Sequence, residues 1–121
     1  MQKKQILLLL LIGALMTLCL PARVALGQAS PRRIEITAKR FVFEPGEITL
    51  KKGQPAVIVL KSVDVAHGLR FRELNLAVKV DAGRTAEVQF TPEKTGEFVG
   101  HCYVFCGSGH GSMAMKLHVV D

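Results

Sequence analysis

Tryptophan is absent from the 121 residues and tyrosine occurs once, so the chain has almost nothing on which nucleic-acid bases could stack. Its basic residues are scattered along the sequence, which describes a solvated surface of mixed charge and argues against a nucleic-acid partner. No glycine-rich phosphate loop is present, and no pair of carboxylates has a spacing suited to acid–base hydrolysis. Beyond residue 30 no stretch keeps a helical period, which points away from bundles and α/β layers. Cysteine is also scarce, with three residues in all, so the core has to form without a framework of several disulfides.

What is present begins with a leader. Lys3 and Lys4 precede an apolar run from Ile6 to Leu20, followed by Pro21 and the small-residue stretch Ala25-Leu26-Gly27. A charged start, a short apolar centre and a small-x-small end describe a secretory signal cleaved near Gly27. Retained, the same run is a single membrane anchor, although a span usually needs about 20 apolar residues. Cys19 is followed by Leu20 and preceded by Thr17 and Leu18, which lacks the small residue that lipid attachment requires. Removing residues 1–27 takes three of the 16 basic residues and none of the ten acidic ones, so the formal charge falls from +6 to +3. Much of the basicity therefore belongs to the leader, and the expectation is an exported, periplasmic protein. Residues 28–32 read as a linker and 33–121 as one domain, long enough for a small core.

That domain reads as all-β, a Greek-key sandwich. Ile34, Ile36 and Ala38 alternate with polar neighbours, as do Leu76, Val78 and Val80, and then Ala86, Val88 and Phe90; each set places one face inward. Turn signals at Glu44-Pro45-Gly46, Lys52-Gly53-Gln54-Pro55, Asp81-Ala82-Gly83 and Thr91-Pro92 punctuate them. Val57 to Leu60 is continuously apolar and reads as a central strand. In the last strand Met113, Met115, Leu117 and Val119 share the inward face while Lys116 and His118 share the other, which makes Met115 core and His118 a surface residue.

The densest chemistry lies in Cys102-Tyr-Val-Phe-Cys106-Gly-Ser-Gly-His110-Gly-Ser-Met113, two thiols, an imidazole and a thioether within twelve residues. These soft and borderline donors suit copper rather than magnesium or calcium. Three residues between the cysteines let one tight loop aim both sulfurs at a common centre, where two bridging thiolates hold two metal ions close together. Gly107, Gly109 and Gly111 are read as letting that loop turn sharply. A second imidazole is expected from His67, at a sandwich end where one strand run stops and another starts near Leu69. His101 adjoins Cys102, and adjacent strand residues face opposite ways, so it is expected to point away from the centre.

Cys102-x-x-x-Cys106-x-x-x-His110-x-x-Met113, preceded by Asp64-Val65-x-His67, resembles the dinuclear CuA domain of cytochrome c oxidase subunit II, in its short bacterial form. Nitrous-oxide reductase carries a similar domain, but its large catalytic domain has no counterpart here. The resemblance covers about 85 to 90 residues and implies a cupredoxin fold holding two copper ions. It implies bridging by Cys102 and Cys106, one imidazole each from His67 and His110, a weak axial thioether from Met113 and a weak carbonyl ligand from Val104. The implied function is one-electron relay from cytochrome c to a haem-copper oxidase core, subunit I, with no catalytic centre in this chain itself. Contact with a membrane would come only through the N-terminal segment or the partner.

Two departures qualify that likeness. Val104 stands where many relatives carry a glutamate serving a second, non-redox metal, so no magnesium or manganese site is expected. The tryptophan that relatives place near the copper is missing, which leaves Leu69, Tyr103 or Phe105 to line an apolar docking patch. Other readings of the same residues stay open. His67, Cys106, His110 and Met113 satisfy a mononuclear blue-copper site, and a free periplasmic copper carrier or shuttle would use either centre. A Cys102–Cys106 disulfide leaves the His and Met spacing unexplained, zinc is a poor match for thioether, and a cysteine nucleophile lacks a third orienting group.

Overall fold

The computed structural model describes residues 30–121. The expected leader, Cys19 and the first two residues of the expected linker lie outside them. Strand β1 spans Arg32–Lys39, opening one residue before the expected start of the domain, and is followed by β2 (Val42–Glu44), β3 (Glu47–Lys51) and β4 (Ala56–Ser62). Then come β5 (His67–Phe71), β6 (Leu76–Val80), β7 (Thr85–Phe90), β8 (Gly96–Cys102) and β9 (Ala114–Val120). Single 3₁₀ turns at Arg72–Leu74 and His110–Ser112 are the helical elements among the described residues. Asn75 closes the first of them in the left-handed region at φ 50°, a conformation its short polar side chain tolerates.

These strands form two sheets, one of four strands in the order β2-β1-β4-β7 and one of five in the order β3-β9-β8-β5-β6. Most neighbours are antiparallel, but β1 runs parallel to β4 and β3 parallel to β9. Each of those pairings joins two strands of one sheet between which the chain has crossed to the other sheet and back, which gives the sandwich its Greek-key character. Alternation decides which residues enter the core. Ile36, Ala38, Ile58 and Leu60 from the smaller sheet meet Leu69, Phe71, Val78, Met115 and Leu117 from the larger, all buried. Burial of each large side chain of this kind stabilises by about 1.5–3 kcal/mol. β4 is interior to its sheet and almost continuously buried, as the apolar run 57–60 predicts. By contrast β7 lies at the edge, and its inward row Ala86, Val88 and Phe90 is only half-buried.

β5 starts at His67, two residues before the position the sequence suggests. The difference matters, because it puts His67 into the alternation with Leu69 and Phe71 and turns all three inward. Since β5 pairs with β8 through Leu69 and Cys102, the imidazole and the first thiol arrive at the same end of the sandwich.

Candidate metal centre

Cys102 is the last residue of β8, and its amide donates to the Met113 carbonyl at 3.0 Å. That bond sets the start of the ligand loop against its end. Between them the chain makes a compact return: the His110 amide donates to Gly107, the Ser112 amide to Gly109 and the Met113 amide to His110, at 3.1 to 3.3 Å. The result places Cys102 and Cys106 with their sulfurs 3.8 Å apart, unbonded and both buried. A disulfide is about 2.05 Å long, so the pair is present as two free thiols.

The other donors converge on those sulfurs. His67 Nδ1 lies 4.0 Å from Cys102 Sγ, and His110 Nδ1 lies 3.6 Å from Cys106 Sγ. Met113 Sδ is 3.8 Å from Cys106 Sγ, and the Val104 carbonyl accepts from Cys102 Sγ at 3.2 Å. His67, Cys102 and Cys106 offer three donor atoms within 4.8 Å of one another. All six residues singled out in the sequence are therefore brought together, and each sulfur has its own imidazole. His101 is exposed on the outer face and His118 lies on the same outer face between Glu47 and Glu97, both away from the cluster. Of the three residues proposed to line an apolar patch, Leu69 is in the core at 1 % exposure, Tyr103 is half-buried, and Phe105 is 79 % exposed. Leu69 follows His67 by two residues and shares its inward face, which rules it out as surface.

A ring of supporting residues holds this cluster. His67 is fully buried, and its Nε2–H donates to Asp64 Oδ1 at 2.7 Å. Asp64 also accepts from the amides of Arg40 at 2.8 Å and Val65 at 2.6 Å. Partial burial would raise its pKa, but the Arg40 amide, the His67 ring and the Val65 amide outweigh that and push the carboxyl down to about 2. An ionised Asp64 only accepts, so the proton sits on Nε2, and in the neutral ring Nδ1 keeps a lone pair facing Cys102. On the other side Arg40 Nε donates to the Cys106 carbonyl at 2.8 Å. Burial first, and then the neighbouring Cys102 thiol, push the Cys106 thiol up to about 11, with Arg40 opposing. A metal ion binding here displaces that proton.

Arg40 and Asp64 were not assigned a role from sequence. Asp64 had a signal, three residues before His67 in a turn, whereas Arg40 lies 66 positions from Cys106 and nothing in the sequence connects them. Phe41 is similarly hidden. Its ring covers the ligand loop so closely that a Cβ on Gly109 would meet it at 2.4 Å, and one on Gly107 at 2.8 Å. Gly107 does adopt a left-handed φ of 135°, but Gly109 sits at φ −92° and Gly111 has open space around it. Sharp turning thus accounts for the first of these glycines, clearance beneath Phe41 for the second, and neither for the third.

The donor set fits a soft or borderline ion: two thiols, two imidazoles and a thioether, all but His110 buried, each aimed by a backbone or side-chain hydrogen bond nearby. Residues 8–114 match the cupredoxin-like domain family. The chain belongs to that family. Among curated proteins this cupredoxin is 31 % identical over 91 residues to cytochrome c oxidase subunit 2 of Thermus thermophilus, a match covering 74 % of this chain and 67 % of the relative. It spans only 54 % of a second Thermus thermophilus subunit 2, about half the length of that longer homologue. The crystal structure of the periplasmic domain of subunit II of cytochrome oxidase from Bradyrhizobium japonicum has the same fold, with a TM-score of 0.69 at 20 % identity, over 78 % of this chain and 87 % of that one. A chain in a cryo-EM structure of a haem-copper terminal oxidase dimer is similar at a TM-score of 0.65 and 26 % identity, over 98 % of this chain and 95 % of that chain. Among the described residues no helix is long and apolar enough to cross a membrane.

Proposed function

We propose that this cupredoxin is a one-electron relay holding a dinuclear copper centre, of the kind its subunit 2 relatives suggest. The observation that carries the proposal is the pairing of donors: two sulfurs 3.8 Å apart, one beside His67 and the other beside His110. A mononuclear site would use one of those sulfurs and leave the second buried beside it without a role. Cys102 and Cys106 would bridge the ions, His67 and His110 would each bind one, and Met113 and the Val104 carbonyl would be weak ligands. Copper bound there supplies reversible one-electron chemistry between its two common oxidation states.

The remaining work belongs to the protein. Asp64 fixes the tautomer and orientation of His67, Arg40 anchors the carbonyl of Cys106, and the Cys102–Met113 backbone bond closes the loop. Donors held this way move little when charge arrives or leaves. His67, Cys102, Cys106 and Met113 exclude water, while His110 is half-buried with its ring 5.6 Å from that of exposed Phe105. His110 is therefore the edge of the centre through which electrons enter or leave. In this reading the donor is cytochrome c or a similar carrier, the acceptor is the haem-bearing subunit I of an oxidase, and the domain works on the periplasmic side.

Copper analysis together with electron spin resonance of the loaded protein tests the centre. About two copper ions per chain, sharing one unpaired electron over two equivalent nuclei, is the expected result; a spectrum of one localised copper would replace the dinuclear reading with a blue-copper one. Purification from native membranes separates an oxidase subunit from a free shuttle, since only the former brings a haem-bearing partner with it.

A further inference from the structure

The outer face of the five-stranded sheet is divided by charge. Toward the end away from the sulfurs its carboxylates have partners: Glu97 pairs with Lys116 at 3.3 Å, and the His118 ring lies 3.2 Å from Glu47 and 3.4 Å from Glu97. Toward the metal end the picture reverses. Arg70 and His101 stand directly opposite each other on β5 and β8, and Lys79 stands opposite Gly68 on β6, one rung away. All three are exposed, and Arg72 follows at the start of the 3₁₀ turn. None of Arg70, Arg72 and Lys79 enters an ion pair among the described residues. Glu73 borders this surface, in a neighbouring hollow with Arg72 and His101, and makes no ion pair with them.

Arg70 and Arg72 border an open cleft of about 540 Å³ that reaches the centre itself: Arg70, Arg72, His101, Cys102, Tyr103 and His110 line it. Arg70 lies over the Tyr103 ring at 4.4 Å, which holds its guanidinium at the rim. Gly68 makes room for that arrangement, because a Cβ there would stand 2.6 Å from the Tyr103 ring. Beyond His110 the surface continues into the exposed ring of Phe105. An aromatic centre with arginines beside it is the composition of a protein-docking patch.

We propose that this face docks the electron donor through an acidic surface, so that carboxylates of the donor meet Arg70, Arg72, Lys79 and His101 while its redox edge settles against Phe105 and His110. The proposal rests on the one-electron reading of the centre and names the chemistry of its partner. In the docked pair the ferrous haem of the donor gives up one electron and the oxidised copper centre gains it, with no proton or group transferred. Attraction between the two faces steers encounter and is screened by salt.

The test uses the full domain with two reduced c-type cytochromes, one with an acidic haem edge and one with a basic haem edge. With copper bound, reduction by the acidic cytochrome is expected to slow roughly ten-fold between low and physiological salt, while reduction by the basic one stays slower at low salt and gains from added salt. The variant R72E/K79E replaces neither Tyr103, its Arg70 partner nor a residue proposed to bind metal, and it is expected to lower the rate with the acidic cytochrome roughly ten-fold with an unchanged copper spectrum. R70E should act in the same direction. Rates insensitive to salt and to R72E/K79E, or a preference for the basic cytochrome, would overturn the proposal. A binding titration of the metal-free protein with the acidic cytochrome reads the same surface independently of copper, so failure of the centre to load is distinguishable from failure of the docking face. Stronger binding of single-stranded oligonucleotide than of the acidic cytochrome in that titration would also overturn it.

Discussion

The two sheets of this sandwich share a core but divide the work unequally. Every side chain proposed to bind metal comes from β5, β8 or the loop joining β8 to β9, all on the five-stranded sheet. The four-stranded sheet gives the core an aliphatic inner face, Ile36, Ala38, Ile58 and Leu60, and supports the site through the Arg40-Phe41 turn and through Asp64, which follows β4. One sheet therefore carries the candidate site as well as its share of the core, and the other carries core alone. A candidate ligand in the first should alter spectra before it alters folding, and a core residue in the second should do the reverse.

The sharpest break in that division is Cys102→Ser. It is expected to remove the dinuclear spectrum completely and to reduce bound copper to one ion or fewer per chain, while the far-ultraviolet dichroism of the sandwich is retained; an intact two-copper spectrum would show that Cys102 is not a bridge. Leu60→Ala probes the other sheet. Leu60 is fully buried in its interior strand, so the truncation should cost about 2–5 kcal/mol in denaturant unfolding and leave the spectrum of the folded, copper-loaded fraction unchanged.

Where the sheets touch, both readouts should move. Gly109→Ala forces a methyl group against Phe41 and should cost about 1–3 kcal/mol with a perturbed copper spectrum. Gly111→Ala, in open space, should stay within about 0.5 kcal/mol. Equal effects from the two would mean that Phe41 yields easily and does not brace the loop. The smallest effect belongs to the exposed Arg33–Glu87 pair, which joins β1 to β7 on the outside of the smaller sheet. Hydrogen bonding to Arg33 lowers the Glu87 pKa, so its contribution is present above the unfolded value and disappears as the pH falls through the folded one. Glu87→Gln should remove that small contribution at neutral pH, flatten acid unfolding slightly in that window and leave the copper spectrum alone.

Much of this was legible in the sequence because alternation is a local property. The inward rows of β1, β6 and β9 follow from period two, and so does the outward direction of His101. Applied from His67 instead of from Leu69, the same rule would have placed Leu69 in the core. The parallel pairings of β1 with β4 and of β3 with β9 were not legible, since register between distant strands leaves no periodic trace. Nor were Arg40 and Phe41, whose roles arise only when a turn of one sheet closes over a loop of the other. The cationic face was hidden for a related reason: Arg70, Arg72, Lys79 and His101 are spread over 32 positions and look scattered until β5, β6 and β8 lie side by side.

The order of the ligands along the chain has a consequence for how the centre is assembled. His67 opens β5, but both sulfurs and the second imidazole arrive only with β8 and the loop before β9. A chain made from its N-terminus therefore presents one imidazole and no thiol of this site through most of its synthesis. A soft ion meets no thiol of this site until the last loop is made, and the full donor set only when the last hairpin closes on β5, so capture by the whole set would report that the sandwich is finished rather than help to start it.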